Sequence, residues 1–233
     1  MKALILNSGL GHRMGVLTSE HPKCMTELSA GQTILSRQLR LLADAGVQEV
    51  VMTTGYFDKV LVDYCQSLEL PLHITFINNP RYAETNYIYS IYCAREALRD
   101  DDILLMHGDL VFEPSVLEEI MQQKQSCMKV SSTLPLPQKD FKAVVADGFV
   151  KAVGIEFFDH AMEAQALYKL NRADWQAGQH LCVLRGRADQ LLRRGGAESG
   201  DGDLPHCSLR REGSSLHGDR HAGGLSKGTG ATA

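Results

Sequence analysis

The chain has 233 residues, of which 44% are hydrophobic and 22% charged, with a formal net charge of -4. That length supports one domain or two small ones, and the mild acidity gives no electrostatic attraction to nucleic acid or to an anionic membrane surface. No apolar run approaches transmembrane length, and the apolar stretch of "MKALILNSGLG" is too short and too soon broken by glycine for a secretory leader, so the expected compartment is cytoplasmic. The six cysteines (Cys24, Cys65, Cys93, Cys127, Cys182 and Cys207) include no CxxC pair. This argues against a disulfide framework and makes most of them small buried apolar groups.

In chain order, Lys2 to Leu6 reads as a short apolar strand that runs into "NSGLGHRMG", residues 7 to 15. "TILSRQLRLLADAG" follows, with Ile34, Leu35, Leu39 and Leu42 on one helical face, Thr33 as N-cap and Gly46 as C-terminal cap. "QEVVMTTG" is a second buried strand, then come a helix over about 57 to 67, the strand "LHITFIN", a helix over about 86 to 99, the strand "DILLMHGD" and a helix from Pro114 to about Gln125. Strands alternating with helices predict right-handed crossovers and a mostly parallel sheet covered on both faces, a three-layer α/β sandwich of Rossmann-like type. In "FKAVVADGFVKAVGI", Asp147 and Gly148 sit between two alternating runs and predict a small β-hairpin extension. Ligands of such sheets bind beyond the carboxyl ends of the strands, where residues 7 to 15, 53 to 56, 78 to 80 and 107 to 109 all fall.

The opening loop has three phosphate-binding readings. Gly9, Gly11 and Gly15 give GxGxxxG, not the GxGxxG of a dinucleotide fingerprint, and Pro22 interrupts the helix that should follow. No Gly-Lys-Ser/Thr of a P-loop is present. What remains is a glycine-rich loop whose N–H groups can face a polyphosphate, with Arg13 and Lys23 to neutralise its charge; a plain strand-to-helix turn is the bland alternative.

After Trp175 the composition changes. Residues 178 to 233 contain no Ile, Phe, Tyr, Trp or Met and twelve of the 21 glycines, too little apolar surface to offset the entropy of ordering. This tail is expected to be largely disordered. A zinc site from Cys182, Cys207, His217 and His221 fails on spacing and on the lack of a core to hold the ligands.

"GLGHRM", "PKCMTEL", "TILSRQLRLLADAGVQEVVMTTGY" and "HGDLVFE", in that order, together with "YAETNYIYSIY", resemble the nucleotidyltransferases with a MobA-like or sugar-phosphate nucleotidylyltransferase domain. The similarity is greatest to cytidylyltransferases that act on phosphocholine and phosphonate acceptors, and it covers residues 1 to 177. The resemblance implies that Asn7, Ser8, Gly9, Leu10 and Gly11, with Arg13 and Met14, form the loop around the triphosphate of CTP or another NTP. It implies that Lys23 reaches the phosphates and that Asp109 is a ligand of Mg2+. Gly55, Tyr56 and Asn86 are implied on the nucleotide side, and Tyr87 and Lys142 on the acceptor side. The chemistry implied is transfer of CMP to a small phosphate or phosphonate with release of pyrophosphate, the cations offsetting the meeting of two anions.

Alternatives stay open at this point. Asp109 also reads as a strand-end cap, and His107 as structural. Tyr82, Tyr87, Tyr89 and Tyr92 read either as a cage for an amine or as helix packing, and Lys142 and Lys169 as phosphate contacts or surface lysines. A hexose-1-phosphate nucleotidylyltransferase, or a non-catalytic nucleotide-binding module, would share much of the pattern. Partner nucleic acids and membranes are not expected, and a homodimer is compatible with the chain.

The family pattern also has a C-terminal E-I-D element whose aspartate completes the metal site, and the tail has none; Asp219 in "HGDRH" has the wrong context. Read from the second base of each codon, Leu191 to Ser199 permit Y-A-E-E-A-L-N and His217 to Ser226 permit M-E-I-D-T-P-E-D-L. Both resemble family elements in the right order. The expectation is therefore a frameshift near Ala177, leaving residues 178 to 233 as a non-native tail and impairing activity.

Overall fold

The computed structural model describes residues 1 to 9, 21 to 138, 140 to 176 and the backbone of 209 to 212. Leu10, Gly11, Arg13, Met14 and nearly all of the 178 to 233 tail therefore lie outside the described residues.

Strand β1 (Lys2–Leu6) lies at the centre of a parallel block, between β4 (Glu49–Thr54) and β6 (Ile103–His107), with β5 (His73–Asn78) outside β4. Side chains along β1 alternate between two cores, as the strand period requires. Ala3 and Ile5 join Leu35, Leu39 and Leu42 of α1 (Ile34–Asp44), Leu61 of α2 (Asp58–Ser67) and Leu117 and Ile120 of α4 (Pro114–Met121). Leu4 and Leu6 face Ile91 and Ala94 of α3 (Tyr87–Ala94), Leu98, and Trp175 of α5 (Arg172–Gln176). Helices on both faces of a largely parallel sheet give the three-layer sandwich that the sequence predicts.

Local chemistry places the helix starts. Thr33 caps α1 in a capping box, its Oγ1 accepting from Ser36 N at 3.0 Å while Ser36 Oγ accepts from Thr33 N at 3.0 Å. Gly46, at φ +82°, closes the far end. Two predicted helices are shorter than expected. α3 stops at Ala94 and passes into turns, although Leu98 remains buried, and α4 ends at Met121, where Lys169 Nζ donates to the carbonyls of Met121 and Gln123. A cation at a helix C-terminus complements its dipole, which makes Lys169 a cap and not a phosphate contact.

β8 (Lys142–Ala146) and β9 (Phe149–Gly154) form the predicted hairpin, with positive φ at both Asp147 (54°) and Gly148 (78°), the requirement of a two-residue primed turn. Five further strands were not predicted, three of them in the main sheet. The ten-residue β10 (Ala161–Leu170) runs antiparallel to β6, to β7 (Cys127–Ser131) and to β8. β7 also pairs in parallel with β11 (Leu209–Glu212), which lies antiparallel to β9. β11 thus gives four residues of strand to a tail whose composition predicts no order. A separate two-stranded ribbon, β2 (Glu27–Ser29) with β3 (Gln32–Thr33), leads into α1.

Candidate active site

A cavity of about 330 Å³ opens over the carboxyl ends of β1 and β6. Its walls come from four connections: Leu6 to Gly9 after β1, Pro22 to Cys24, residues 79 to 90 at the start of α3, and His107 and Asp109 after β6.

Lys23 stands on a single 3-10 turn, Lys23–Met25, and its Nζ donates to Asp109 Oδ2. The two side chains keep 44% and 38% of their surface exposed, so this ion pair is reachable from the cavity. Burial raises the Asp109 carboxyl, but the Lys23 hydrogen bond and charge, with His107 and a backbone N–H, hold it below the ordinary carboxylate value. His107 moves down from the ordinary imidazole value because it is buried and because Lys23 is cationic, against the opposing pull of Asp109. Its ring lies 5.1 Å from that of Tyr87, which in turn meets Phe141 edge-on at 5.9 Å.

The Asn7–Gly9 segment is held closely. Asn7 N donates to Thr53 O at 3.2 Å, and the Asn7 side chain lies over Gly108, where a Cβ would sit 1.6 Å from Asn7 Oδ1. A Cβ on Gly55 would sit 2.4 Å from the Ser8 carbonyl oxygen. Gly55 is thus the floor on which the loop passes, not a wall of the cavity. Asn7 Nδ2 and Ser8 Oγ are buried without a hydrogen-bond partner among the described residues, and both residues line the cavity. Orphaned polar atoms at a cavity wall suit a polar ligand.

Asn86 caps α3, its Oδ1 accepting from Ile88 N at 3.0 Å, and lines the cavity with Tyr87. Tyr56 is not part of the wall; it is exposed and rests its ring edge-on against Phe57 and beside Tyr82, which does line the cavity. Tyr89 and Tyr92 lie under Arg81 and Arg95 respectively, outside the cavity, so only Tyr82 and Tyr87 of the four tyrosines face it.

Lys142 is a correction. It is 0% exposed, donates to Pro137 O (2.7 Å) and Asp140 O (3.2 Å), and sits 4.2 Å from the centre of the Phe158 ring. A buried ammonium bonded to two carbonyls holds the start of the hairpin, and Lys142 does not line the cavity.

Sequence reasoning passed over Asn79. It is almost fully buried, donates from Nδ2 to Thr85 Oγ1 (3.2 Å) and Ser90 Oγ (3.0 Å), and accepts on Oδ1 from Arg81 N (2.8 Å). One side chain thereby shapes the whole 79 to 90 wall. Its only sequence signal is an Asn-Pro step at a strand end. Cys24, Cys65 and Cys127 are buried, as predicted, and burial raises the thiols of the first two, Cys65 to about 12.

Asn7 to Gly9, Lys23 and Asp109 meet beyond the carboxyl ends of parallel strands, the place where an α/β domain of nucleotidyltransferase type takes its ligand. Residues 3 to 194 match the model of the MobA-like NTP transferase domain, and the chain belongs to that family. It is 33% identical over 181 residues to CMP-5'-(3-aminopropyl)phosphonate synthase of Streptomyces rubellomurinus, covering 74% of this chain and 28% of that protein. It is 27% identical over 130 residues to CTP:phosphoglutamine cytidylyltransferase of Campylobacter jejuni, covering 54% and 50%. The chain spans half or less of the length of these relatives. Among solved structures, the inositol-1-phosphate CTP transferase from T. maritima shares the fold, with a TM-score of 0.67 at 16% identity over 90% of this chain and 84% of that one. No helix among the described residues is long and apolar enough to cross a membrane.

Proposed function

We propose that this chain is a cytidylyltransferase domain that transfers CMP from CTP to a small phosphate or phosphonate acceptor. An acceptor oxygen attacks the α-phosphorus, the bond from that phosphorus to the bridging oxygen of the β-phosphate breaks, and pyrophosphate leaves. The observation that carries the reading is the exposed Lys23–Asp109 pair at the mouth of a cavity walled by the Asn7–Gly9 loop. The choice of CTP is supported by relatives whose names state cytidylyl transfer.

Each group has a part in this reaction. Lys23 and the loop N–H groups oppose the charge that gathers on the phosphates, with Gly11 and Arg13 as further contacts of the same reading. Asp109 would hold Mg2+. Among the described residues no group of three or more His, Cys, Asp or Glu could hold a metal, and a single carboxylate suits Mg2+, which keeps several waters and binds through one or two carboxylates plus substrate phosphates. When bound, that ion would neutralise phosphate oxygens during transfer. Asn7 Nδ2 and Ser8 Oγ offer unpaired polar atoms to the nucleotide, while Asn86, Tyr82 and Tyr87 form the opposite wall, where a small acceptor would lie.

The test is CTP-dependent pyrophosphate release with 2-aminoethylphosphonate and with phosphocholine, set against UTP, dTTP and GTP. Turnover confined to UTP or dTTP with a hexose 1-phosphate would replace this reading. Nucleotide binding with no turnover, in this chain and in its frame-corrected form, would reduce the domain to a binding module.

A further inference from the structure

Helix α1 contributes nothing to the cavity wall, yet it holds both members of the Lys23–Asp109 pair. Leu110 N donates to His107 O at 3.2 Å, closing a four-residue turn with Gly108 and Asp109 at its centre. Gln38, in the middle of α1 and 1% exposed, donates from Nε2 to His107 O at 2.9 Å and to Leu110 O at 2.8 Å. One amide nitrogen thus bridges the two ends of the turn that carries Asp109. The neighbouring Arg37 donates from Nη2 to Phe112 O at 2.9 Å, further along the same loop. At the start of the helix, Ile34 N donates to Thr26 O at 3.1 Å, and Thr26 N donates to Lys23 O at 3.0 Å. The turn under Lys23 and the turn under Asp109 therefore rest on one rigid element.

The burial of Gln38 is not explained by packing. Its Oε1 is buried with no partner among the described residues, and burying an amide oxygen unpaired is unfavourable. An apolar side chain of similar length would fill the same space without that cost. What it would lose is the bridge between His107 O and Leu110 O.

We propose that Gln38 is a positioning residue for Asp109: its amide clamps the ends of the 107 to 110 turn and fixes the carboxylate opposite Lys23. The role of Asp109 in this statement rests on the nucleotidyltransferase reading above; the clamp itself rests on the hydrogen bonds alone. Small displacements of reacting or cation-holding groups are costly, with losses on the order of a hundredfold for about 1 Å.

The experiment compares Gln38→Met, which keeps length and removes the donor, with Leu39→Val, a core change on the same helix that leaves the turn untouched. Gln38→Asn, which withdraws the amide by one methylene, is the milder variant if Gln38→Met does not fold. In the ligand-free protein, amide hydrogen exchange should speed up by about tenfold or more at Gly108 and Leu110 in the Gln38 variants while the β1 amides stay protected. In the CTP assay, kcat should fall by roughly ten- to a hundredfold with the KM for CTP within about threefold. Exchange at Gly108 and Leu110 matching that of Leu39→Val, or a kcat loss no larger than that of Leu39→Val, overturns the proposal. If the unaltered chain releases no pyrophosphate with any nucleotide and acceptor, the functional reading fails, and the exchange comparison alone decides the clamp.

Discussion

Lys23 and Asp109, 86 positions apart in the sequence, form an ion pair at the cavity mouth in which both side chains remain more than a third exposed. A pair so exposed adds little to stability. Asp109→Ala is therefore expected to leave the melting temperature nearly unchanged, and to lower CTP-dependent pyrophosphate release by about a hundredfold or more. Circular dichroism melts beside the release assay check this; a large loss of stability would make the carboxylate a structural cap instead.

Two groups at the site give stability a pH dependence. His107 has a folded-state value below the ordinary 6.5, so below that pH the unfolded chain takes up a proton that the folded chain refuses, and stability falls from about 6.5 downward. Asp109 has a folded-state value below the ordinary 3.8; its contribution is whole above 3.8 and is lost as pH falls through the folded-state value. Thermal melts of the ligand-free protein should show a decline between pH 7 and 5 that is flatter in His107→Phe, and only a small further contribution from Asp109 below pH 4, absent in Asp109→Asn, because the pair is exposed. Identical pH profiles for all three proteins would remove both assignments.

Gly55 and Gly9 should respond differently to alanine. At Gly55 a Cβ would lie 2.4 Å from a backbone oxygen of Ser8, whereas at Gly9 no atom of the described residues lies within 4 Å. Gly55→Ala must push the loop off its floor, a strain of about 1 to 3 kcal/mol, and should raise the KM for CTP. Gly9→Ala should leave the stability of the ligand-free protein almost unchanged. Denaturant melts of the two variants, with KM measured on each, test the contrast.

Lys142→Met removes an ammonium from the carbonyls of half-buried Pro137 and exposed Asp140 and from the Phe158 ring. Loss of these bonds should cost about 1 kcal/mol, water reaching the freed carbonyls, while the KM for the acceptor should stay within about twofold because Lys142 does not line the cavity. A changed acceptor KM without a change in stability would restore Lys142 to the site.

The contrast between Lys23 and Lys142 shows where sequence reading stops. β1 and α1 are legible because one short apolar run and one 3.6-residue period, with a Thr cap and a Gly stop, leave few alternatives. β7 is five consecutive buried residues, including Lys129, and β10 mixes Glu163, Gln165 and Lys169 among apolar positions, so neither has a clean period. Asp109 lies in a motif at a strand end and Lys23 in one that forms a 3-10 turn. Gln38 and Asn79 act by hydrogen bonds to groups their own local sequence does not specify, and a lysine buried under carbonyls reads the same as a lysine in water until the chain is folded.

The tail carries the last prediction. The family match runs to residue 194, past the point where the composition changes, and β11 lies between β7 and β9. The second-base frame nevertheless permits an E-I-D element where this chain reads "HGDRH". A second carboxylate beside Asp109 would tighten a Mg2+ site that a single carboxylate holds only with the help of substrate phosphates. A frame-corrected chain is thus expected to melt higher, through the apolar surface that a C-terminal helix would bury, and to turn over CTP about tenfold faster or more at limiting Mg2+. The measurement is pyrophosphate release against Mg2+ concentration for both chains. Superimposable curves, or a stop codon in the second-base frame between residues 191 and 226, would reject the frameshift.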